Sequence, residues 1–395
     1  MTRASRALAL CNATVIADPE ARPVPERTVL VAGDTIAAVV PAESAEIPAA
    51  AEILDCSGCT VVSGFWNCHV HFFERKWENA ENTSAEELQE QLEDFTRYGY
   101  TTVCDLSSSW PNTLALRARI ESGIAGPRIF STGEGLIPRG GLPPAIVLRI
   151  LGLMDTPMPE VAHADEARNA VRTALANGVD GIKVFVSSQT GGTLAPDLLR
   201  AAVETAHADQ KPVFAHVNGA ADVEAAVRAG ADVIAHTTPA TGTWSDGLIG
   251  EMLEAGAALT PTIALWEHLM RHDRISIGRS AVDIAVEQLH RWSSAGGTVL
   301  FGTDYGAVPA DPSREYATMR DAGMTFGRIL DALTTAPSRR FGAFRQAEGN
   351  GGRYGRVAEG FAADLVALKG DPCANLSALT QVRYTVRRGE IVYRG

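Results

Sequence analysis

The chain has 395 residues, 46% of them apolar and 21% charged, so it can bury a large core and is not a disordered polypeptide. Thirty-five basic against 47 acidic side chains give a net charge of −12, which repels phosphate backbones and excludes nucleic acid as a natural partner. No stretch approaches about 18 uninterrupted apolar residues, so no membrane partner and no spanning helix are expected.

The chain opens with Arg3 and Arg6 ahead of Ala-Leu-Ala-Leu-Cys, which imitates the start of a signal peptide. The apolar stretch stops at Asn12, and Leu10 is too large for the usual lipoprotein cleavage site. Residues 7–17 therefore read as a β-strand, and a cytoplasmic location is expected. The six cysteines are too sparse for a disulfide framework. Cys56-Ser-Gly-Cys59 has no second pair downstream and reads as a turn between strands.

Both ends carry short β-type runs, at 28–31 and 35–40, then at 364–368, 382–386 and 391–393, separated by Gly, Pro and Glu punctuation. A small β-domain built from residues 1–60 and 355–395 follows, with the two ends side by side. Between them, residues 61–354 alternate apolar strands with amphipathic helical stretches. The strand candidates are 61–71, 101–105, 128–132, 181–186, 213–217, 233–237, 258–263 and 299–304. Helical periodicity covers 84–98, 165–176, 196–208, 220–229, 246–255 and 280–294, and Gly follows several of these stretches as a C-cap. Eight such units predict an α/β fold, a (β/α)8 TIM barrel with a small β-sandwich built from both chain termini. An open doubly wound sheet is the competitor, but no Gly-rich phosphate loop follows the first strand.

Barrel enzymes carry their chemistry at the C-terminal ends of the strands. Here those ends hold His69-Val-His71, Lys183, His216, His236 and Asp304. Taken singly, each has a bland explanation: a satisfied interior histidine, an N-capping aspartate, a chance His-X-His. A lysine inside Ile-Lys-Val-Phe is odder, because burying an ammonium is costly. Taken together, four of the nine histidines at predicted strand ends are hard to attribute to packing. His-X-His also points both rings to one face of a strand, and imidazole and carboxylate are usual zinc ligands.

The chain resembles the metal-dependent amidohydrolase superfamily over nearly its whole length. The resemblance is carried by Ser-Gly-Phe-Trp-Asn-Cys-His-Val-His (63–71), Gly-Tyr-Thr-Thr-Val-Cys-Asp (99–105), Gly-Ile-Lys-Val-Phe (181–185), Phe-Ala-His-Val (214–217), Ile-Ala-His-Thr (234–237), Phe-Gly-Thr-Asp (301–304) and the tail 355–368. It is closest in kind to the imidazolonepropionase-related and Xaa-Pro dipeptidase-like branch with a carboxylated lysine. That likeness implies two divalent metal ions, with zinc expected. His69, His71 and Asp304 would hold the more buried ion, and His216 and His236 the second. A carbamate on Lys183 would bridge them, since a lysine with its ordinary pKa of about 10.4 is a cation at neutral pH and cannot be a ligand. Asp304 is the implied general base and acid. Two departures stand out: Ser63 replaces a common proline, and no histidine lies between His71 and His163.

The loops at the metal face offer Arg75, Arg139, Tyr305 and Trp266 as substrate contacts, with Trp244 in the sixth loop and His268 beside Trp266 in the seventh. The implied function is hydrolysis of a small-molecule amide, in a dipeptide or N-acyl amino acid. Cyclic amides, xenobiotic carbamates, esters or lactones are the alternatives, and a non-catalytic barrel interaction protein is the remote one. A homo-oligomer is expected from the family alone.

Overall fold

The structure, a computed structural model, describes residues 7–141, 158–187, 192–271, 280–341 and 353–395. Residues 1–6, with the leader-like Arg3 and Arg6, lie outside the described residues. The first strands are β1 (Ala7–Val15), β2 (Val24–Ala32), β3 (Thr35–Pro41), β4 (Glu52–Asp55) and β5 (Cys59–Ser63). Alternation of apolar residues decides their facing: Leu8, Leu10, Val29 and Val31 are all buried on one side. The Cys56–Cys59 segment is a turn, closed by the Cys59 amide on the Cys56 carbonyl at 2.9 Å, and both cysteines are buried and reduced.

The predicted strand 61–71 is two strands. β6 (Phe65–Val70) leaves the terminal sheet at Gly64, whose amide still bonds the Asp364 carbonyl while that of Phe65 bonds Gly99. Only glycine fits this corner, since a Cβ on residue 64 would lie 2.3 Å from Thr101 Oγ1. After β6 comes α1 (Ala85–Thr96), capped by the Ser84 hydroxyl on the Glu87 amide and burying Leu88, Leu92 and Phe95, as the periodicity predicts. β7 (Tyr100–Asp105), α2 (Trp110–Glu121) and β8 (Arg128–Ser131) follow, and β6, β7 and β8 form a parallel sheet.

The short β9 (Ile137–Pro138) and β10 (Glu160–Val161) pair with each other. Then come α3 (Ala164–Ala176), β11 (Ile182–Phe185), α4 (Pro196–Ala208), β12 (Val213–His216), α5 (Ala220–Ala229), β13 (Val233–Ala235), α6 (Asp246–Glu254), β14 (Ala258–Thr260), α7 (Ile263–Arg271), α8 (Ala281–Ser294) and β15 (Thr298–Val299). β11 to β15 form a second parallel sheet in chain order. Hydrogen bonds connect the two sheets at both edges: Asp180 N to Ser131 O at 2.8 Å on one side, Cys68 N to Phe301 O at 2.7 Å on the other. Two predicted strands shorten. Pro261 ends β14, so Ile263 opens a helix instead, and after Leu300, whose amide still bonds Leu259 of β14, the segment turns to bond with β6.

The chain closes with α9 (Ser313–Asp321), α10 (Phe326–Leu333), α11 (Thr335–Phe341), β16 (Leu365–Lys369), β17 (Val382–Arg387) and β18 (Glu390–Arg394). The terminal strands make one eight-stranded sheet in the order β18-β17-β16-β5-β1-β2-β3, with β4 beside β1. Its far edge curls back, because the Ile36 amide bonds Phe361 and that of Ala363 bonds Asp34. A buried Arg128–Asp364 pair at 2.8 Å fastens β8 to the segment entering β16. No helix among the described residues is long and apolar enough to cross a membrane.

Gly64→Ala should cost about 1–3 kcal/mol, the range for forcing a methyl group into a packed site, because Thr101 is buried and cannot yield. Urea unfolding checks this; a wild-type midpoint would show that the corner tolerates a side chain.

Candidate metal centre

β6 aims His69 and His71 to one side through its period of two, and both are buried. The segment that follows β15 brings Asp304 against them. The Asp304 amide bonds the His69 carbonyl at 2.9 Å, and the His71 amide bonds the Tyr305 carbonyl at 2.7 Å. Asp304 Oδ1 then lies 2.8 Å from His71 Nε2 and 3.4 Å from His69 Nε2. From the other sheet come His216, the last residue of β12, and His236, just past β13. The rings form a row: His71 to His69 at 5.1 Å, His69 to His236 at 4.8 Å, His236 to His216 at 4.7 Å between centroids. Ligand atoms of His69, His236 and Asp304 all lie within 4.8 Å of one another.

Two of these residues hold strained backbone. His236 has φ 81° and Asp304 has φ 63°, both in the left-handed region that non-glycine residues rarely enter. Thr262 beside them has φ 43°. Such conformations persist where the surroundings over-determine them, as the bonds to β6 do for Asp304.

Burial governs the electrostatics. It drives His69 and His216 well below the ordinary histidine value and His236 to about 3, so all three are neutral lone-pair donors near pH 7. Lys183 on β11 is fully buried; desolvation takes its ammonium from 10.5 to about 7, only partly opposed by the Asp304 charge. Burial pushes the Asp304 carboxyl up, but the His71 contact and the charges of His71, His236 and Lys183 outweigh it and leave it at about 2.

The residues fit a cation. Both nitrogens of His69, Nδ1 of His71 and Nζ of Lys183 are buried without a hydrogen-bond partner among the described residues, and Asp304 Oδ1 has His71 Nε2 beside it. Each orphaned group costs about 1–3 kcal/mol, so four together form a cluster suited to binding something. Nitrogen and carboxylate donors of this kind suit a divalent ion such as zinc.

The other expected contacts divide. Trp266 sits on α7 rather than in a loop, its indole nitrogen bonds Thr237 Oγ1 at 2.9 Å, and its ring meets His236 edge-on at 6.2 Å. Tyr305 is buried with its hydroxyl on Asp94 at 2.7 Å and on Lys76, so it braces the loop after β6. Arg139 is exposed and paired with Glu166 at 2.7 Å. Arg75 is exposed in a single 3-10 turn, Arg75–Trp77. Trp244 is buried on Thr238 and Trp66 packs against Phe341.

Other residues at the site were not singled out. Phe73 stacks flat on His71 at 4.4 Å. Asn67 joins β6 to Thr303, donating to its hydroxyl at 2.8 Å and accepting its amide at 3.1 Å. Asp105 is buried under bonds from Ser108, Thr113 and Ser131, and burial raises its pKa against them. Ser108 also accepts the Phe72 amide, which fixes the turn after His71. Asn67 stands two residues before His69 and Phe73 two after His71, so the period of two marks both.

The amidohydrolase family model matches residues 60–392, and the chain belongs to that family. It is therefore a hydrolase of carbon–nitrogen bonds by class. Among curated relatives, the ochratoxinase of Aspergillus niger is 24% identical over 382 residues, covering 85% of this chain and 76% of its own length. A Xaa-Pro dipeptidase with bound methionine superposes with a TM-score of 0.81 at 23% identity, covering 98% of this chain and all of that one. A prolidase complexed with N-methylphosphonate-L-proline gives 0.77 at 24%, covering 98% and 100%. The chain shares the fold of these two.

The Lys183 shift predicts a pH signature. The unfolded chain keeps that proton to about 10.5 while the folded, metal-stripped protein releases it near 7. Between those values the unfolded state binds the extra proton, so stability rises with pH; below 7 both states are protonated and the burial cost is complete. Urea midpoints from pH 7 to 9.5 in carbon dioxide-free buffer should climb more steeply in wild type than in Lys183→Met. Equal slopes would mean that Lys183 is charged in the fold.

Proposed function

We propose that the chain is a metal-dependent hydrolase that cleaves an amide, peptide-like C–N bond in a dipeptide or an N-acyl amino acid. The fold that accompanies this reading is a (β/α)8 barrel over residues 61–354 with a β-sandwich from residues 1–60 and 355–395. The observation that carries it is the meeting of four imidazoles, one carboxylate and one lysine at one end of the parallel strands, with both nitrogens of His69, Nδ1 of His71 and Nζ of Lys183 buried and unpartnered among the described residues. His69, His71 and Asp304 would hold one divalent ion and His216 and His236 a second, with Lys183 joining both as its carbamate. Bound ions of this kind make hydroxide available near neutral pH and polarise a carbonyl.

The chain's own groups are suited to the rest. Desolvation makes Lys183 a free amine at about pH 7, and only that form has the lone pair to attack carbon dioxide. A new N–C bond forms, the nitrogen loses a proton to solvent, and an anionic carbamate results. Asp304, ionised down to about pH 2, can accept the proton of the attacking water and return it to the leaving nitrogen. Phe73 and Trp266 give the histidine row an apolar flank that excludes water and suits an aromatic or bulky substituent on the amide. A relative named ochratoxinase and a neighbour named Xaa-Pro dipeptidase support an amide of this size.

Initial rates should be measured with zinc and bicarbonate across dipeptides including Xaa-Pro, aromatic N-acyl amino acids, lactams, carbamates and aryl esters. The first two classes should be turned over fastest. Zinc-loaded protein inactive on every C–N substrate would sink the assignment; turnover confined to lactams, carbamates or esters would move it to those chemistries. Asp304→Asn should lower kcat by about 10²–10⁴-fold, the usual contribution of a general acid–base. Full turnover in that variant would remove Asp304 from the proton's path.

A further inference from the structure

We infer that Asn218, Ser187 and Asp222 form a directional hydrogen-bond chain that locks His216 in the tautomer whose bare Nδ1 faces the site. What Nδ1 then does rests on the metal reading above; the tautomer rests on hydrogen-bond direction alone.

The chain starts at Asp222 in the first turn of α5. Its Oδ2 accepts the amides of Asn218 at 2.8 Å and Gly219 at 3.2 Å, and lies 2.5 Å from Ser187 Oγ. A carboxylate can only accept, so the Ser187 hydroxyl donates to it. The lone pairs of Ser187 Oγ are left for Asn218 Nδ2 at 3.1 Å, which also donates to the Ser187 carbonyl at 3.0 Å. These two acceptors decide which end of the amide is nitrogen, a choice that only the surrounding network can make. The other end, Oδ1, therefore faces His216 Nε2 at 3.2 Å. An amide oxygen cannot donate, so the hydrogen sits on Nε2. In the neutral ring Nδ1 is then bare, and it points at His236 Nε2, 2.9 Å away. His236 in turn has its Nδ1 on Thr262 Oγ1 at 2.6 Å.

Every link has one polarity, set from the carboxylate outward. Ser187 lies two residues beyond the end of β11, the strand of Lys183, and Asn218 two beyond the end of β12. The chain thus pins together the ends of the strands that carry Lys183 and His216. Asn218 touches no reacting atom in this scheme; it is a positioning residue.

The test uses the full-length protein. Metal-stripped protein with ¹⁵N-labelled histidine is examined by two-bond ¹⁵N–¹H correlation, with His216 assigned from the signal lost in His216→Gln. Wild type should hold the Nε2–H tautomer, and Asn218→Leu a mixture of both. Zinc affinity is then measured by chelator competition. One of the two zinc affinities should fall about 10–100-fold in Asn218→Leu, the usual loss when a ligand's outer partner is removed, with the other nearly unchanged. Ser187→Ala, a smaller change at a partly buried position, should show the same loss in lesser degree and serves if Asn218→Leu does not fold. An Nδ1–H tautomer in wild type would overturn the inference, as would wild-type zinc affinities in both folded variants. An Nε2–H tautomer in a wild type that binds no zinc would instead overturn the metal reading and leave the tautomer lock standing.

Discussion

The candidate site depends on one junction, where β6 meets the segment around Asp304. Three backbone bonds, from Cys68, His71 and Asp304, run between them, and the Asn67 side chain adds two more through Thr303. The junction links the first and the last of the parallel strands. It also leaves no room for a side chain: a Cβ on Gly302 would meet Thr260 Cγ2 at 2.4 Å and His69 Cβ at 2.8 Å. Only with that close approach can a carboxylate from the end of one sheet reach two imidazoles on the edge of the other.

The cost of the arrangement falls on groups that would be better off in water. Four imidazoles, a lysine whose ammonium is disfavoured by burial and one carboxylate lie together, with Phe73 and Trp266 against the histidine rings. Two of the donors stand on strained backbone, at His236 and Asp304. Structure elsewhere holds them there. Tyr305, braced on Asp94 and Lys76, fixes the residue after Asp304. Glu315 of α9 is buried against the start of α7, accepting the Ala264 amide at 2.8 Å, and burial raises its pKa to about 7. Through α7 it steadies both Thr262 and Trp266.

Much of this was legible in the sequence because each donor follows an apolar run. His69 and His71 share a face by strand periodicity, His216 and His236 follow Val-Phe-Ala and Val-Ile-Ala directly, and Asp304 follows Val-Leu-Phe with two residues between. Lys183 declared itself by being charged among buried residues. What the sequence concealed was set by distant partners. The break at Gly64 reflects Thr101 across the sheet, and the conversion of a strand end into α7 follows from Pro261 and the Glu315 carboxylate. Arg139 and Tyr305 looked like substrate contacts because of their place in the chain, yet Glu166 and Asp94 engage them. Asn67 and Asn218 obey the same period of two as the histidines, but nothing local says what an asparagine faces.

The terminal sheet carries a consequence for synthesis. β5 pairs on one side with β1, a short distance back in the chain, and on the other with β16, where Ser63 meets Leu365. The Arg128–Asp364 pair spans a similar stretch. As the chain leaves the ribosome, the early strands thus emerge with one hydrogen-bonding edge bare, and it stays bare until nearly everything else has been made. The parallel strands and their helices must come together around a start that is itself unfinished. Closure of the sheet is a late event by necessity, and for most of its synthesis the chain carries an open edge of the kind that invites pairing with other chains.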